Sequence, residues 1–262
     1  MVNDKPILDL LKGTPNILEQ VYIDLAQPSV RAVGSALGDV FEFSTSFMLP
    51  VKLLNEKFKL NFAKRLDEYK EKLMQIPEGK RCAVHPQIGT PIIEKLSYTT
   101  NDEISDLFTT LLANASNADM VNTAHPSFAN IIERLSPDEA RIIIYLKERN
   151  DIQYCNFKGD SLSGKGFQII REYLTLVAKE IDLEYPQNVK AYFANLISLG
   201  IIVDMVDTFR VDDTIYNKII SEYDFEGLKA LYVPNYFKNM KVSKSYFKVT
   251  DFGKLFINAC VK

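Results

Sequence analysis

Residues 189–203, VKAYFANLISLGIIV, decide how the second half of the chain folds. Apolar side chains recur at three- and four-residue intervals through Val189, Phe193 and Leu196, which is the spacing of one helix face. Gly200 then provides a residue that readily ends a helix. The β-branched run that follows it favours a strand. The stretch therefore predicts a helix that stops at Gly200 and leads directly into a short strand.

The residues downstream extend this pattern. YFKV at 246–249 predicts a second strand, and Thr250 is a suitable cap for a final amphipathic helix, whose apolar face includes Phe252 and Phe256. Between the two strands, IYNKIISEY at 215–223 has helical character. With a further helix predicted just upstream, the order of two helices, a strand, a helical insertion, a strand and a helix resembles a winged helix whose wing is interrupted.

Upstream of residue 189, the octet GDSLSGKG at 159–166 separates two predicted elements. IQYCNF at 152–157 predicts a short strand, and the residues from Phe167 to about Ile181 predict a helix. Three glycines within eight residues give the backbone unusual freedom. We therefore expect a flexible connector and a domain boundary near residue 160.

The first half predicts a stack of short helices. Residues 51–76 form a long amphipathic stretch, and Thr90–Pro91 is typical of a helix start. Two capping boxes predict further helix starts: Thr100 with Glu103, and Ser136 with Glu139. The fold class expected is mainly α: a helical domain at 1–158, a Gly-rich linker at 159–166, and a small winged-helix-like α+β domain with a helical insertion at 167–262.

The octet also resembles two catalytic motifs. Its first four letters match the nucleophile block of GDSL esterases, but a serine nucleophile needs a histidine base, and no histidine follows Ser161. It also approaches a phosphate-binding loop, but Gly166 stands where Ser or Thr should hold the metal. His85 and His125 each precede a proline, a context typical of a helix start. Neither motif is complete, so we expect no enzyme activity.

Composition excludes several other classes. The chain has 262 residues, 47% hydrophobic content and a formal charge of −3, so no global field attracts nucleic acid or anionic lipid. Its three cysteines are far apart, which favours reduced thiols in a cytoplasm over a disulfide framework or a zinc site. We expect neither a metal nor another cofactor, and no small-molecule substrate.

Two stretches predict interaction surfaces. Residues 29–49 predict an amphipathic helix whose apolar side includes Val33, Leu37 and Phe41. That side favours packing against protein, with contact to a membrane surface as the alternative.

Lysines provide the second surface. Lys190 lies on the helix at 189–199, and the basic stretch near the C-terminus comprises Lys238, Lys241, Lys244 and Lys248. These residues would contact phosphates if the winged unit bound DNA, whereas lysines that protect a strand edge are the structural alternative. Residues 160–262 contain 13 basic and 13 acidic residues, which is a neutral balance for a DNA-binding domain.

Several blocks together resemble the abortive-infection alpha family of bacterial proteins. The matching segments are YIDLAQPSVRAVGSALGDV, LPVKLLNEKFK, PIIEKLSYTTNDEISDLFTTLLANAS, HPSFANIIERLSPDEARII, FANLISLGII and KVTDFGKLFINACV. The resemblance implies a bacterial cytoplasmic protein that takes part in phage defence, and it supplies no catalytic residues for these positions.

Three functional hypotheses follow. The first is a non-enzymatic phage-defence protein that acts through contacts with a protein partner or with itself. The second is a winged-helix DNA-binding regulator. The third is an effector that touches the inner membrane peripherally through residues 29–49.

Overall fold

The computed structural model describes residues 35–40 and 56–262. Within these residues the chain forms two compact units. One comprises the described residues up to Ala140 together with Leu255–Lys262, and the other comprises Arg141–Lys254. The first unit is therefore discontinuous in sequence.

Helices form the first unit. Residues 35–40 are helical. The helices that follow are α1 (Glu56–Met74), α2 (Pro86–Leu96), α3 (Asp102–Ala115) and α4 (Phe128–Glu133), with short 3-10 turns at Glu78–Lys80 and Val121–Thr123. Helix α5 (Pro137–Arg149) starts here and continues into the second unit. The predicted helical character of the first half is confirmed.

Helix α3 provides much of this unit's core. Its apolar side chains recur at three- and four-residue intervals, and all five of these are buried: Ile104, Leu107, Phe108, Leu111 and Leu112. The last residues of the chain join the same core. The ring of Phe256 packs edge-on against Phe128 at a centroid distance of 5.1 Å, and the Asn114 side-chain amide donates to the carbonyl of Ala259 at 2.9 Å.

The helix starts agree only in part with the predictions. The Ser136–Glu139 box is confirmed, because the Glu139 carboxylate accepts the Ser136 backbone N–H at 2.6 Å and the Ser136 hydroxyl accepts the Glu139 N–H at 3.3 Å. Asn101, rather than Thr100, caps α3 by accepting the Ile104 N–H. Like Thr, Asn offers a side-chain oxygen for this bond, so two adjacent capping residues compete for one position.

The prediction that a helix starts at Thr90–Pro91 is wrong. Helix α2 begins at Pro86, and Pro91 lies inside it. His85 caps this helix, with its Nδ1 accepting the Gln87 N–H at 3.2 Å. A proline in the first turn is a normal helix start, and Pro86 supplies one five residues before Pro91.

A four-stranded antiparallel sheet organises the second unit. Its strands are β1 (Asp151–Ser161), β2 (Phe167–Leu174), β3 (Ile202–Asp204) and β4 (Phe237–Val249), in the order β2-β1-β4-β3. Its helices are α6 (Val177–Glu180), α7 (Val189–Ser198), α8 (Thr214–Glu222), α9 (Phe225–Tyr232) and α10 (Asp251–Cys260), and α10 continues into the first unit. The coarse prediction of a mainly α chain with an added α+β part is confirmed.

The octet at 159–166 differs from its prediction. It forms the end of β1 and the turn of a hairpin, in which the Ser161 N–H donates to the carbonyl of Gly166 at 3.1 Å. Gly164 and Gly166 have φ angles of 72° and 83°, a conformation that glycine adopts at little cost. The glycines therefore serve a tight turn rather than a flexible connector.

The helix predicted from Phe167 to Ile181 is also wrong over its first half. Residues 167–174 form β2, which pairs with β1, and only the short α6 follows. Residues 167–170, FQII, are aromatic or β-branched at three of four positions and favour a strand once a partner strand is present. Pairing with β1 outweighs the helical spacing of the apolar residues.

The two sheet faces are covered differently. Residues of α8 and α9 pack on one face, where the buried cluster comprises Cys155, Phe157, Leu174, Tyr216, Ile219, Phe225 and Met240. On the opposite face, Phe193 of α7 contacts Phe247 of β4 at a ring distance of 4.6 Å, and Tyr154 joins them at 4.7 Å from Phe247. Helix α7 thus covers the end of this face that lies near Phe247.

Candidate interaction surfaces

The predicted apolar side at 29–49 lies partly within the described residues. Leu37 is fully buried, as is Val40. The backbone here is held by a hydrogen bond from the Val84 N–H to the carbonyl of Ala36 at 2.8 Å. Val33 and Phe41 lie outside the described residues. Leu37 therefore packs inside the helical unit and is not available to a membrane surface.

A helix that crosses a membrane must be long and predominantly apolar. In residues 35–40 and 56–262, every helix is too short or too polar to cross a bilayer.

The predicted basic residues are largely neutralised by carboxylates. Three of these lysines lie within salt-bridge distance of an acidic side chain: Lys190 of Glu172 at 3.2 Å, Lys241 of Asp160 at 2.9 Å, and Lys244 of Asp213 at 2.8 Å. Lys248 is exposed, and among the described residues no carboxylate forms an ion pair with it. Lys238 is likewise exposed without an ion pair in the described part of the chain, so carboxylates offset three of the five predicted lysines.

The octet residues do not meet a catalytic partner in the described geometry. The Ser161 hydroxyl lies 2.9 Å from the Ser163 hydroxyl and accepts the Ser163 N–H. Strand β2 follows Gly166, whereas a phosphate-binding loop must lead into a helix N-terminus. Lys165 is exposed at the hairpin turn. The phosphate-loop interpretation is therefore wrong for this stretch.

The two histidines stabilise local turns. The Nδ1 atom of His85 caps α2. The Nδ1 atom of His125 accepts the Ser127 N–H at 3.2 Å, just before α4. The expected role at helix starts is confirmed for His85, and His125 makes the equivalent bond immediately ahead of α4. Among the described residues, no three His, Cys, Asp or Glu side chains are grouped so that they could hold a metal ion.

Buried charges in the helical unit connect α1 to α3. The Arg65 guanidinium, which is almost fully buried, lies 2.7 Å from Glu68 and 2.8 Å from Asp102. Lys72 donates to Asp106 at 2.6 Å. Burial lowers the pKa of Lys72, and the hydrogen bond to Asp106 opposes this effect. Each of these charges has a partner within the unit, which is the arrangement of a structural network.

A small cavity of about 280 Å³ lies in the second unit between α5, β1 and α6. The Arg149 guanidinium stacks over the Tyr145 ring at 4.6 Å and lies 3.1 Å from Glu180. The Tyr145 hydroxyl donates to Glu180 at 2.5 Å, and burial raises the pKa of that hydroxyl. Tyr145, Arg149 and Glu180 at the cavity wall therefore bind one another.

The sheet face opposite α8 and α9 is open at the hairpin end. Lys158 of β1 lies directly across from Lys241 on one side and from Ile169 on the other, so the three side chains share this face. Asp160 and Phe167, which also pair, lie two residues further along on the same face. We call these five residues the hairpin patch.

The hairpin patch combines exposed apolar area with positive charge. Phe167 is 54% exposed and Ile169 is 49% exposed. The Lys158 ammonium lies 5.0 Å from the centre of the Phe167 ring, a cation–π distance. Lys241 has Asp160 as an ion partner, whereas no carboxylate of the described chain lies within that distance of Lys158. One lysine charge of the patch is therefore not offset by an acidic residue in the described part of the chain.

A second exposed apolar group lies in the loop after β3. Residues 205–213, MVDTFRVDD, contain Val206, Phe209 and Val211, which are 65%, 57% and 96% exposed. We call these nine residues the apolar loop. Asp207 and Asp212 alternate with the apolar side chains and are also exposed.

The apolar loop is held firmly at several points. The Arg210 guanidinium donates to Asp151 at 2.9 Å and lies 4.3 Å from the centre of the Tyr246 ring. The Arg210 backbone N–H donates to the Tyr216 hydroxyl at 3.1 Å, and the Met205 N–H donates to the carbonyl of Tyr246 at 3.0 Å. These bonds fix the backbone while the apolar side chains remain exposed.

Neither surface follows from the sequence patterns. The sequence predicts a helix at 167–181, and a helix would not place Phe167 and Ile169 side by side on one face as the observed strand does. The apolar loop shows neither a period of two nor one of 3.6, so its side chains suggest no buried face. That lack of period in a stretch with four apolar residues is the signal that could have indicated an exposed surface.

Comparisons with known proteins identify the family to which the chain belongs. The family model described as abortive infection alpha matches residues 55–260. No curated protein matches the chain. A solved structure of an uncharacterized protein from the hydrocarbon-degrading marine bacterium Alcanivorax borkumensis SK2 matches with 14% identity and a TM-score of 0.35, over 52% of this chain and 92% of that one. Since the family model covers most of its length, the chain belongs to the abortive infection alpha family.

Proposed function

We propose that this protein acts in bacterial phage defence by abortive infection, in the cytoplasm, as a non-enzymatic protein that works through protein–protein contacts. Membership of the abortive infection alpha family supports the defence role. The contact mechanism rests on the surfaces of the second unit.

The apolar loop is the observation that supports a contact mechanism best. Val206, Phe209 and Val211 expose apolar side chains within six residues, while Arg210 and its partners hold the loop in place. A fixed, exposed apolar group rimmed by charges is typical of a protein-binding surface. A rigid loop also loses little conformational entropy when it binds.

We further propose that the second unit is a winged helix with an interrupted wing. Helix α7 leads directly into β3, β3 pairs antiparallel with β4, and β4 pairs with β1. Helices α8 and α9 stand between β3 and β4, where a winged helix has a short wing. In this interpretation the inserted helices replace the wing as the contact element.

DNA binding is a less favoured function for the same unit. Carboxylates pair with Lys190, Lys241 and Lys244, so their positive charge is offset locally. A phosphate-binding surface would leave these charges available, and its affinity would fall steeply with added salt. Measuring binding to a duplex at low salt decides the matter, and salt-sensitive binding that weakens in Lys241→Ala would favour DNA over protein.

Phage protection tests the proposed function. Cells that express Ser161→Ala, Lys165→Ala or His125→Ala should keep wild-type protection, because these residues serve turns and not chemistry. Phe209→Ser and Val211→Ser should lose protection, because they remove the exposed apolar groups without touching the core.

Leu231→Ser is the matched control, since Leu231 is an equally exposed apolar residue of the same unit (63% exposed). Circular dichroism should show each variant folded. Full protection with Phe209→Ser and Val211→Ser, or loss of protection in folded Ser161→Ala, would contradict the proposed function.

A further inference from the structure

We propose that the apolar loop of one copy of this chain docks on the hairpin patch of a second copy. This inference rests on the proposed function, in which the protein works through protein contacts, and it identifies the partner as the protein itself.

Charge is the first argument for this pairing. In the apolar loop, the positive charge of Arg210 is offset by Asp151, and the negative charge of Asp213 is offset by Lys244. Asp207 and Asp212 remain as exposed negative charges. The hairpin patch carries the opposite sign, because Lys158 has no ion partner among the described residues. Opposite potentials on two surfaces favour their association and fix its register.

Apolar area is the second argument. Each surface combines an exposed phenylalanine with a β-branched residue, Phe209 and Val211 in the loop, Phe167 and Ile169 in the patch. When two such surfaces meet, apolar area is removed from water on both sides at once. The paired lysine and aspartate charges then lie at the rim of an apolar centre, as in typical interfaces.

The two surfaces of one copy cannot meet each other. The apolar loop is anchored at Asp151 and Tyr246, at one end of the sheet, and the hairpin patch lies around Asp160 at the other end of the same strand. Nine residues of extended strand separate them by roughly 30 Å at about 3.3 Å per residue. Tyr246, moreover, pairs with Gln153 and so lies on the sheet face opposite to Lys158.

The contact is therefore between copies and joins two different surfaces. Such a heterologous contact builds either a ring or an open chain of copies, since each copy that binds through one surface still offers the other. Assembly should consequently grow with protein concentration and weaken with salt.

Sedimentation of the purified full chain tests this inference. The wild type should show a mean mass that rises with concentration at low salt. Phe209→Ser and Lys158→Glu should each weaken self-association by about tenfold or more, the effect of losing a central apolar or charged contact. The control Leu231→Ser should assemble as the wild type does.

Mixing two charge-reversed variants gives the sharpest test. Asp207→Lys and Lys158→Glu should each self-associate at least about tenfold more weakly than the wild type, because each places like charges at its own contact. Mixed in equal amounts, they should assemble, since the lysine loop of one variant meets the glutamate patch of the other, and the two unchanged surfaces form a wild-type contact. Circular dichroism shows whether Asp207→Lys folds, since Asp207 has a φ of 59°.

The outcomes separate the two proposals. A wild type that stays monomeric, or a mixture that fails to assemble although both variants fold, overturns the self-contact. If Phe209→Ser still abolishes phage protection in that case, the proposed function stands with another protein as partner. If the protein assembles as expected but the assembly-deficient variants protect fully, the proposed function fails and the self-contact remains. Binding of duplex DNA that depends on Lys158, without self-association, would assign the patch to nucleic acid and overturn the inference.

Discussion

Replacing Gly253 by alanine should destabilise the second unit, although helix propensity alone predicts the reverse. Gly253 lies in the first turn of α10, where a Cβ atom would stand 2.1 Å from the backbone oxygen of Ile201 and 3.0 Å from a methyl of Val249. Carbon atoms pack at about 3.5–4.0 Å, so the helix or the strand must move by more than about 1 Å. The same Ile201 oxygen accepts the Thr250 N–H at 3.0 Å, so this movement also strains the helix start.

The higher helix propensity of alanine and the overpacking by its Cβ change the free energy of unfolding in opposite directions and by comparable amounts. Alanine stabilises a helix by about 1 kcal/mol relative to glycine. Overpacking of a closed site costs about 1–3 kcal/mol and sometimes more, and here the obstacle is backbone, which cannot rotate away. We expect a net loss of about 1–2 kcal/mol, or a fall in Tm of about 2–8 °C for a unit of this size class.

Thermal and urea denaturation followed by circular dichroism measure this loss. Gly79→Ala is the matched control, because a Cβ at Gly79 meets no atom within 4 Å. A Gly253→Ala variant as stable as wild type or more stable would refute the reasoning, because it would show that the contact between α10 and Ile201 can open at no cost.

Three further predictions concern single side chains. Burial raises the pKa of Cys155 to about 12, so Cys155 should resist alkylation in the folded protein. The half-buried Cys82 should react before it, and mass spectrometry after timed labelling checks this order. Ser136→Ala should cost about 1 kcal/mol of stability by removing half of the capping box, as seen in the urea midpoint. Burial and the nearby Glu133 raise the pKa of Tyr98 from 10 to about 12, so its neutral form stabilises the fold until pH rises through that interval. Wild type should therefore lose more stability than Tyr98→Phe above pH 10, and parallel pH profiles would contradict this.

The helical part of the fold is predictable because its signals are local. A capping box at Ser136 or a periodic stripe such as that of α3 depends only on residues within a few turns. Of the two starts predicted wrongly, Thr100 is directly followed by the better capping residue Asn101, whereas Thr90 lies more than one helical turn after the true start at His85–Pro86. Small shifts at helix ends follow when neighbouring residues can serve the same hydrogen bond.

The hairpin is not predictable by the same means. Strand β2 exists because β1 lies beside it, and that pairing depends on contacts that no local period reveals. Phe252 shows a related limit: its spacing predicts a core position, but it is 37% exposed, while Phe256 one turn later is buried. The exposed surfaces proposed for contact share this difficulty, because exposure depends on what the rest of the fold leaves uncovered.

The discontinuous first unit has a consequence for biosynthesis. Phe128 receives its ring partner Phe256, and Asn114 its carbonyl acceptor at Ala259, only from the far end of the chain. During translation, the early helices cannot complete their core until the whole of the second unit and α10 have been synthesised. A nascent fragment that ends before α10 should therefore stay protease-sensitive and depend on chaperones, although it contains every other helix of the first unit.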